Sequence, residues 1–473
     1  MTDFHVSLDG RGDLADRIYR QLLAAILDGR LRAGERLPPS RELAQRLAVS
    51  RNTVTVAYDR LTAEGFLVGR VGAGTFVGDV APGQAEARAA PSGTGIRPRE
   101  LWRTLRTPSS TSDAPPRYDF RVGTPDARLF PLQVWRRLLA RELRHTTLDA
   151  FNYGDPAGHA GLRAAIARHV GVSRSVRSGA EDVLVTQGAQ QALDLIGRVL
   201  VEPGEVVAVE EPGYWPARLL FQSLGARVAG VPVDGEGLDV SAIPDAARLV
   251  YTTPSHQFPT GTAMSLARRT ALLDWARRRD AVIVEDDYDS EFRFGDRPLE
   301  PLQSLDTAGR VLYVGSFSKT LLPMLRLGFV IAPASLRTAL RTAKQLSDWH
   351  GELPAQAALA RFIADGLLGR QVRRASRIYA ARHELIVTTL HTEFADLLDL
   401  TPSAAGLHLC ARLRQGVSLD FELARRRGVA AEDLAAYCGE QPAQRGLVLG
   451  YGAIEVDQIP EGLRLLHTCL ARA

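Results

Sequence analysis

Two hydrophobic rhythms run along this chain. From its start to about Gly78, apolar residues recur at helical spacing. Leu14, Ile18, Leu22, Ala25 and Ile26 share one face and predict a first helix that ends near Gly29. Pro38-Pro39-Ser40 opens a second helix, with Ser40 as its N-cap and Leu43, Ala44 and Leu47 facing inward. A turn at Ala48-Val49 leads to Ser50, another N-cap. A third helix then runs from Arg51 to about Glu64, burying Val54, Ala57, Tyr58 and Leu61. Two short helices joined by a tight turn form a helix-turn-helix. Phe66-Leu67-Val68 and Thr75-Phe76-Val77 flank a loop from Gly69 to Gly74, which predicts a two-stranded wing with Arg70 near its tip.

From Tyr118 to Ala473 the rhythm changes. Short apolar runs alternate with helical stretches, which predicts a layered α/β fold with a mainly parallel sheet. Between the two zones, Asp79 to Arg117 is rich in Ala, Pro, Gly, Ser and Arg, with no sustained apolar period. The expected organisation is a domain over 1–78, a linker over 79–117 in which Leu101-Trp102 could dock, and a large domain over 118–473.

Charge sharpens this division slightly. Residues 1–78 hold 11 arginines and 9 acids, residues 79–117 hold 6 and 4, and residues 118–473 hold 41 bases and 41 acids. The +4 excess therefore lies in the first quarter, where nucleic acid would be met. No apolar run of eighteen residues occurs, and the polar first ten residues are unlike a signal peptide, so the expected address is the cytoplasm with no membrane contact. Cys410, Cys438 and Cys469 are scattered, and no metal-spaced motif is present, so neither a disulfide framework nor a metal site is expected. Of 58 basic residues only Lys319 and Lys344 are lysine. Genome composition explains the arginines. The two survivors are the places to look for chemistry that a guanidinium cannot do. Lys344 lies in no motif and reads as a surface residue.

The start of the third helix carries Arg51, Asn52 and Thr53. The N-terminal residues of a recognition helix meet base edges in the major groove, where Arg grips guanine and Asn grips adenine. The runs Gly34-Glu35-Arg36-Leu37-Pro38-Pro39-Ser40-Arg41-Glu42-Leu43-Ala44, Val49-Ser50-Arg51-Asn52-Thr53-Val54 and Gly72-Ala73-Gly74-Thr75-Phe76-Val77 resemble the winged helix of the GntR regulators. The resemblance covers roughly residues 12–78. It implies that Arg41, Arg51 and Thr53 contact double-stranded operator DNA and that Gly72 lies in the wing. Many relatives have a basic residue where this chain has Thr55.

In the large domain, several expected strands end in polar or glycine residues, as they do when strand ends build a site. Val183-Leu184-Val185 runs into Thr186-Gln187-Gly188, and the next helix opens with Ala189, Gln190 and Gln191. Such a helix N-terminus suits a phosphate. Leu249-Val250-Tyr251 runs into Thr253 to Gly261, Val282 to Glu285 into Asp286-Asp287-Tyr288, and Val311 to Val314 into Gly315-Ser316-Phe317-Ser318-Lys319. Together these residues describe one chemistry. Lys319 can form an imine with an aldehyde cofactor, and Asp286 can keep a pyridine nitrogen protonated. Tyr288 can bond a ring hydroxyl, Tyr214 can stack on the ring, and Arg326 can join Gly188, Ala189 and Gln190 around a phosphate.

With Ser316-x-Ser318-Lys319, Arg326-Leu327-Gly328 and Tyr153-Gly154-Asp155-Pro156, residues 118–473 resemble the class I aminotransferases of fold type I. The resemblance implies an α/β pyridoxal-phosphate-dependent transferase-like fold with a smaller C-terminal α+β subdomain. Lys319 would be the Schiff-base lysine. In a homodimer with exchanged domains, Tyr153 would reach the cofactor phosphate of the neighbouring subunit. A winged helix followed by such a domain resembles the MocR/GabR subfamily, as do Thr253-Pro254-Ser255-His256-Gln257-Phe258-Pro259 and Glu285-Asp286-Asp287-Tyr288. In true aminotransferases an Asn stands near the place of His256, so the resemblance puts His256 among the cofactor-binding residues, and the Asp and Tyr there are spaced one residue wider. The late Arg that holds a substrate carboxylate in those enzymes falls here at about Val448, and Arg445 lies nearby. The expected function is a pyridoxal-phosphate-dependent transcription regulator sensing an amine, an amino acid or the cofactor itself, with weak transamination at most. The alternatives are a working aminotransferase with an accessory DNA-binding domain and a fusion in which the cofactor only stabilises the fold.

Overall fold

The computed structural model describes residues 7–8, 13–79, 95–105, 116–144, 153–294, 300–403, 405–439 and 443–472. The chain divides into two compact units, Met1–Pro98 and Arg99–Ala473. Much of the segment read as a linker, 80–94 and 106–115, lies outside the described residues. Within that segment Glu100–Thr104 forms a short helix that buries none of its side chains, and Trp102 is exposed.

In the first unit, α1 spans Leu14–Leu27, α2 Ser40–Arg46 and α3 Arg51–Ala63. Ile18, Leu22, Ile26, Leu43, Val54 and Leu61 meet in one core. Leu14, placed on the same face by spacing, stays exposed in the first turn. Ser40 is not the N-cap of α2. Pro39 takes that place, its carbonyl accepting from the Glu42 and Leu43 amides, and Ser40 is the first helical residue. Proline's fixed φ holds the extended conformation that a cap needs, and this displaces the serine by one position. Ser50 does cap α3, accepting the Thr53 N–H at 3.1 Å. The wing pairs β1, Leu67–Arg70, with β2, Gly74–Val77, in the register Leu67↔Val77 to Arg70↔Gly74. Its tip is thus shorter than the glycine spacing predicts, because the positive φ of Gly72 and Gly74 closes it in three residues.

The second unit is built on eight strands: β3 Val183–Thr186, β4 Val206–Glu211, β5 Arg227–Asp234, β6 Gly237–Leu238, β7 Ala247–Thr252, β8 Val282–Asp287, β9 Val311–Ser316 and β10 Gly328–Ile331. Their order is β3-β10-β9-β8-β7-β4-β5-β6. The five central strands β9, β8, β7, β4 and β5 are parallel, and β10 runs antiparallel between β3 and β9. Alternation sorts each strand between two cores. Val207, Val209, Leu249, Tyr251 and Val284 pack against Leu193 and Ile196 of the helix Gly188–Leu200. Ala208, Val250 and Ile283 face Leu272 and Trp275 of the helix Leu266–Arg279. With helices on both faces the strands read as continuous apolar runs, as buried parallel sheets do.

The smaller part combines the long helix Leu367–Glu393 with a four-stranded antiparallel sheet ordered Leu398–Leu400, His408–Leu413, Gly446–Gly450, Glu432–Asp433. Tyr379, Ile386, Leu409, Leu447 and Leu463 form its core. No described helix is long and apolar enough to cross a membrane.

Candidate functional site

β3, β7, β8 and β9 point the same way, so Thr186, Thr252, Asp286 and Ser316 arrive at one edge of the sheet. A cavity of about 290 Å³ opens there. It is lined by nine residues expected at the site: Ala189, Gln190, Tyr214, Asp286, Tyr288, Ser316, Ser318, Lys319 and Arg326. Gly188 adjoins it at the helix start, with φ of +75°. A Cβ on Gly188 would come within 2.9 Å of the Arg326 guanidinium, so only glycine lets this arginine lie across the helix N-terminus. Arg326 also donates to the Gln187 carbonyl at 2.8 Å.

Lys319 donates from Nζ to the Gly123 carbonyl at 2.6 Å. Burial lowers its pKa, while Asp289 and Asp286 pull it back upward. Asp286, only 4 % exposed, accepts the Tyr251 hydroxyl on Oδ2 at 2.8 Å. Its Oδ1 is buried without a partner, and burial raises the carboxyl pKa to about 7. An acid in this condition lacks a cationic donor. Next along β8, Asp287 points to the other face, where its Oδ2 is paired with Arg174 at 2.9 Å and accepts the Tyr313 hydroxyl. Ser316 and Ser318 bond each other at 2.9 Å.

His256 does not line the cavity. Its backbone carbonyl accepts the Tyr288 hydroxyl at 2.9 Å, and its Nδ1 pairs with Asp289 at 3.0 Å, so it backs Tyr288 from behind. His256, Asp289 and His408 form a buried group whose ligand atoms lie within 4.8 Å of one another, a grouping that no sequence motif announces. Gln257 turns away from the cavity. With Thr252 and Thr253 it binds the buried Glu210 carboxylate, which knots the loop after β7. Tyr153 does not line this cavity in its own chain. It is 76 % exposed and stacks on Trp349 at 4.7 Å.

Lys344 is not a surface residue. It is 0 % exposed and pairs with Asp348, whose carboxylate also accepts from Gln187 and Gln191 at 2.7 Å. The lysine thus braces the start of the helix Gly188–Leu200. Asp348 one turn onward was the only local sign of this, and i,i+4 pairs are commoner on surfaces. Val448 lies wholly buried against Cys410 and Leu434, and Arg445 donates to the Val417 carbonyl.

The cavity also contains Tyr251, Thr253, Phe258 and Pro323, which were not singled out from sequence. Tyr251 had a signal. In the β7–β8 register it stands opposite Val284, two residues from Asp286 and on the same face.

In the first unit, Arg41, Arg51, Asn52, Arg70 and Gly72 are exposed and Thr53 is half-buried. The Arg51 Nε lies 3.5 Å from the Ser40 hydroxyl, while Thr55 donates to the Arg51 carbonyl. Arg70 lies over the Phe76 ring at 4.8 Å.

Residues 14–77 match the gntR family of bacterial regulatory proteins, and residues 119–439 match aminotransferase class I and II. The probable rhizopine catabolism regulatory protein MocR of Rhizobium meliloti is 39% identical over 96% of this chain and 92% of its own length. The pyridoxine biosynthesis regulator PdxR of Corynebacterium glutamicum is 32% identical over 94% and 93%. The chain belongs to the MocR-type GntR regulators. A solved Thermus thermophilus α-aminoadipate aminotransferase, complexed with N-(5'-phosphopyridoxyl)-L-leucine, matches this MocR-type chain at 32% identity and a TM-score of 0.68. It covers 74% of the MocR-type chain and 91% of its own. Relatives aligned over nearly the whole chain are transcription regulators rather than enzymes. The MocR-type protein is accordingly a regulator that binds DNA through its winged helix and carries an aminotransferase-like domain.

Proposed function

We propose that this regulator holds pyridoxal phosphate at Lys319 and changes its operator binding when the cofactor or an amine or amino acid occupies the site. The observation that carries this reading is the buried, partnerless Oδ1 of Asp286, a residue that lines the same cavity as Lys319. A protonated pyridine nitrogen is the donor that such an acid lacks. The rest of the site fits the same group. Tyr214 offers a face for the ring, and Tyr288, steadied by His256, offers a hydroxyl. The helix N-terminus at Gly188, Ala189 and Gln190 joins Ser316, Ser318 and Arg326 in taking the phosphate. Bound there, the cofactor supplies an aldehyde that condenses with primary amines. The lowered pKa of Lys319 favours its neutral, nucleophilic amine. Tyr251 fixes the Asp286 carboxylate in position for the ring nitrogen.

In this reading residues 1–78 bind DNA, with Arg41, Arg51, Asn52 and Thr53 at the recognition helix and Arg70 and Gly72 in the wing. Residues 79–117 link this part to the effector and dimerisation domain, 118–473. The working unit is a cytoplasmic homodimer with exchanged domains, in which Tyr153 reaches the partner's cofactor phosphate. Its exposure and its absence from the lining of its own cavity support this. Transamination is weak because no arginine stands at Val448 to hold a substrate carboxylate.

Borohydride reduction followed by peptide mass mapping tests the cofactor site, and operator binding at fixed salt with and without pyridoxal phosphate tests the response. A reduced adduct on Lys319 and a cofactor-dependent operator affinity are expected. An adduct elsewhere defeats the site. Efficient steady-state transamination with operator binding indifferent to every amino donor promotes the aminotransferase alternative.

A further inference from the structure

The cavity at Lys319 continues into a second chamber of about 410 Å³. The two share Tyr214, Phe258, Tyr288 and Lys319, so a molecule engaged beside the lysine has room to extend. The second chamber adds Trp215, His408, Glu432 and Tyr437. Glu432 accepts the Val122 N–H at 2.9 Å on one oxygen and the Tyr437 hydroxyl on the other. A carboxylate has about four lone-pair sites, so part of its accepting capacity remains available, although the Arg121 guanidinium also feels its charge.

His408 is 2 % exposed, and its Nε2 has no partner. Burial, with His256 and Lys319 nearby, holds the pKa of the ring well below its ordinary value and favours the neutral form, against a hydrogen bond to the Pro259 backbone. Nε2 is then a lone pair without a donor. Apart from Lys319, no lysine or arginine lines the chamber among the described residues. Arg121 is held bidentately by Asp119 at 2.8 and 2.7 Å, and Arg218 is paired with Glu211. Directly across the sheet from Glu432 stands the apolar Val448, at about the place where the resemblance to amino-acid aminotransferases puts their carboxylate-binding arginine. A ligand carboxylate would meet a like charge here. An ammonium would meet the Glu432 carboxylate, a neutral imidazole and the aromatic rings of Tyr214 and Trp215.

We propose that the effector is a small diamine without a carboxylate, one amine engaging the cofactor at Lys319 and the second ammonium bound by Glu432. This rests on the reading of Lys319 as the cofactor's lysine. The test uses full-length protein saturated with pyridoxal phosphate and titrated with putrescine, cadaverine, n-butylamine or 4-aminobutyrate while the cofactor's absorbance is followed. The diamines should act at concentrations about tenfold or more below n-butylamine, and lower still than 4-aminobutyrate. Glu432→Gln should bring the ratio of diamine to n-butylamine affinity close to one. A wild-type protein that prefers 4-aminobutyrate, or that treats diamine and monoamine alike, overturns the proposal. So does a Glu432→Gln protein that keeps the diamine preference. If that variant does not fold, the wild-type series still decides. Failure of the underlying reading shows separately, as the absence of a cofactor band before any amine is added.

Discussion

Asp286→Asn should make the cofactor-free protein more stable at high pH while weakening its hold on pyridoxal phosphate. The carboxyl has an ordinary pKa of 3.8 and is raised to about 7 by burial. A raised acid folds without penalty below its unfolded pKa and costs stability as pH climbs through the folded value. At 1.36 kcal/mol per unit, the penalty reaches about 4 kcal/mol at pH 8 and is about 2 kcal/mol at pH 5. The amide cannot ionise, so it carries none of this dependence. Whatever fixed cost the new NH₂ group brings is the same at both pH values. Burial raises Glu285 to about 7 and Glu291 to about 8, but both proteins carry these acids, so their titrations cancel in the difference. The stability difference, variant minus wild type, should therefore grow by about 2–3 kcal/mol between pH 5 and pH 8. Denaturant unfolding of the large domain without cofactor measures it. With cofactor, losing a charge-assisted bond worth about 1.5–3 kcal/mol should raise the dissociation constant roughly 10- to 150-fold. A stability difference that stays flat across this range, or unchanged cofactor affinity, would refute the account of Asp286 as an acid waiting for a cation.

Three further outcomes follow from the geometry. Lys319→Ala should abolish the borohydride-trapped link, whereas Lys344→Ala should retain it and lose about 2–4 kcal/mol in denaturant unfolding, because Asp348 is left beside an empty buried slot. Gly188→Ala places a side chain at positive φ against the Arg326 guanidinium, so it should cost about 1–2 kcal/mol and weaken cofactor binding in the same titrations. Arg51→Ala should weaken operator binding by about 1–3 kcal/mol in a mobility-shift assay at fixed salt and leave thermal stability unchanged, since the side chain is exposed.

What could be read from sequence was what local pattern encodes. The buried face of α3 was legible because a 3.6-residue period lists it directly, and Ser50 because a cap sits next to what it caps. The residues at the strand ends were legible for a similar reason: parallel strands deliver their carboxyl ends to one place, so short motifs add up. Lys344 was misread because its burial depends on how the helix Arg337–Asp348 packs against the start of Gly188–Leu200, and sequence spacing says nothing of that. Glu432 and His408 went unnoticed because they reach the chamber through the pairing of distant strands: Val448 stands opposite Cys410 on one side and Glu432 on the other. Pro39 displaced the Ser40 cap through a one-residue shift that propensity alone does not resolve.

The near absence of lysine also has a bench-side consequence. Aldehydes and active esters ordinarily decorate many surface amines, and surplus pyridoxal phosphate tints most proteins through such adducts. Here Lys344 is sealed in the interior and Lys319 sits inside a cavity. Among side chains there is no openly displayed amine for such reagents to find. A yellow colour surviving desalting would therefore report on a single position with almost no background. Amine-directed dyes and crosslinkers would in turn meet no lysine displayed on the surface, so labelling at Lys319 would report access to its cavity.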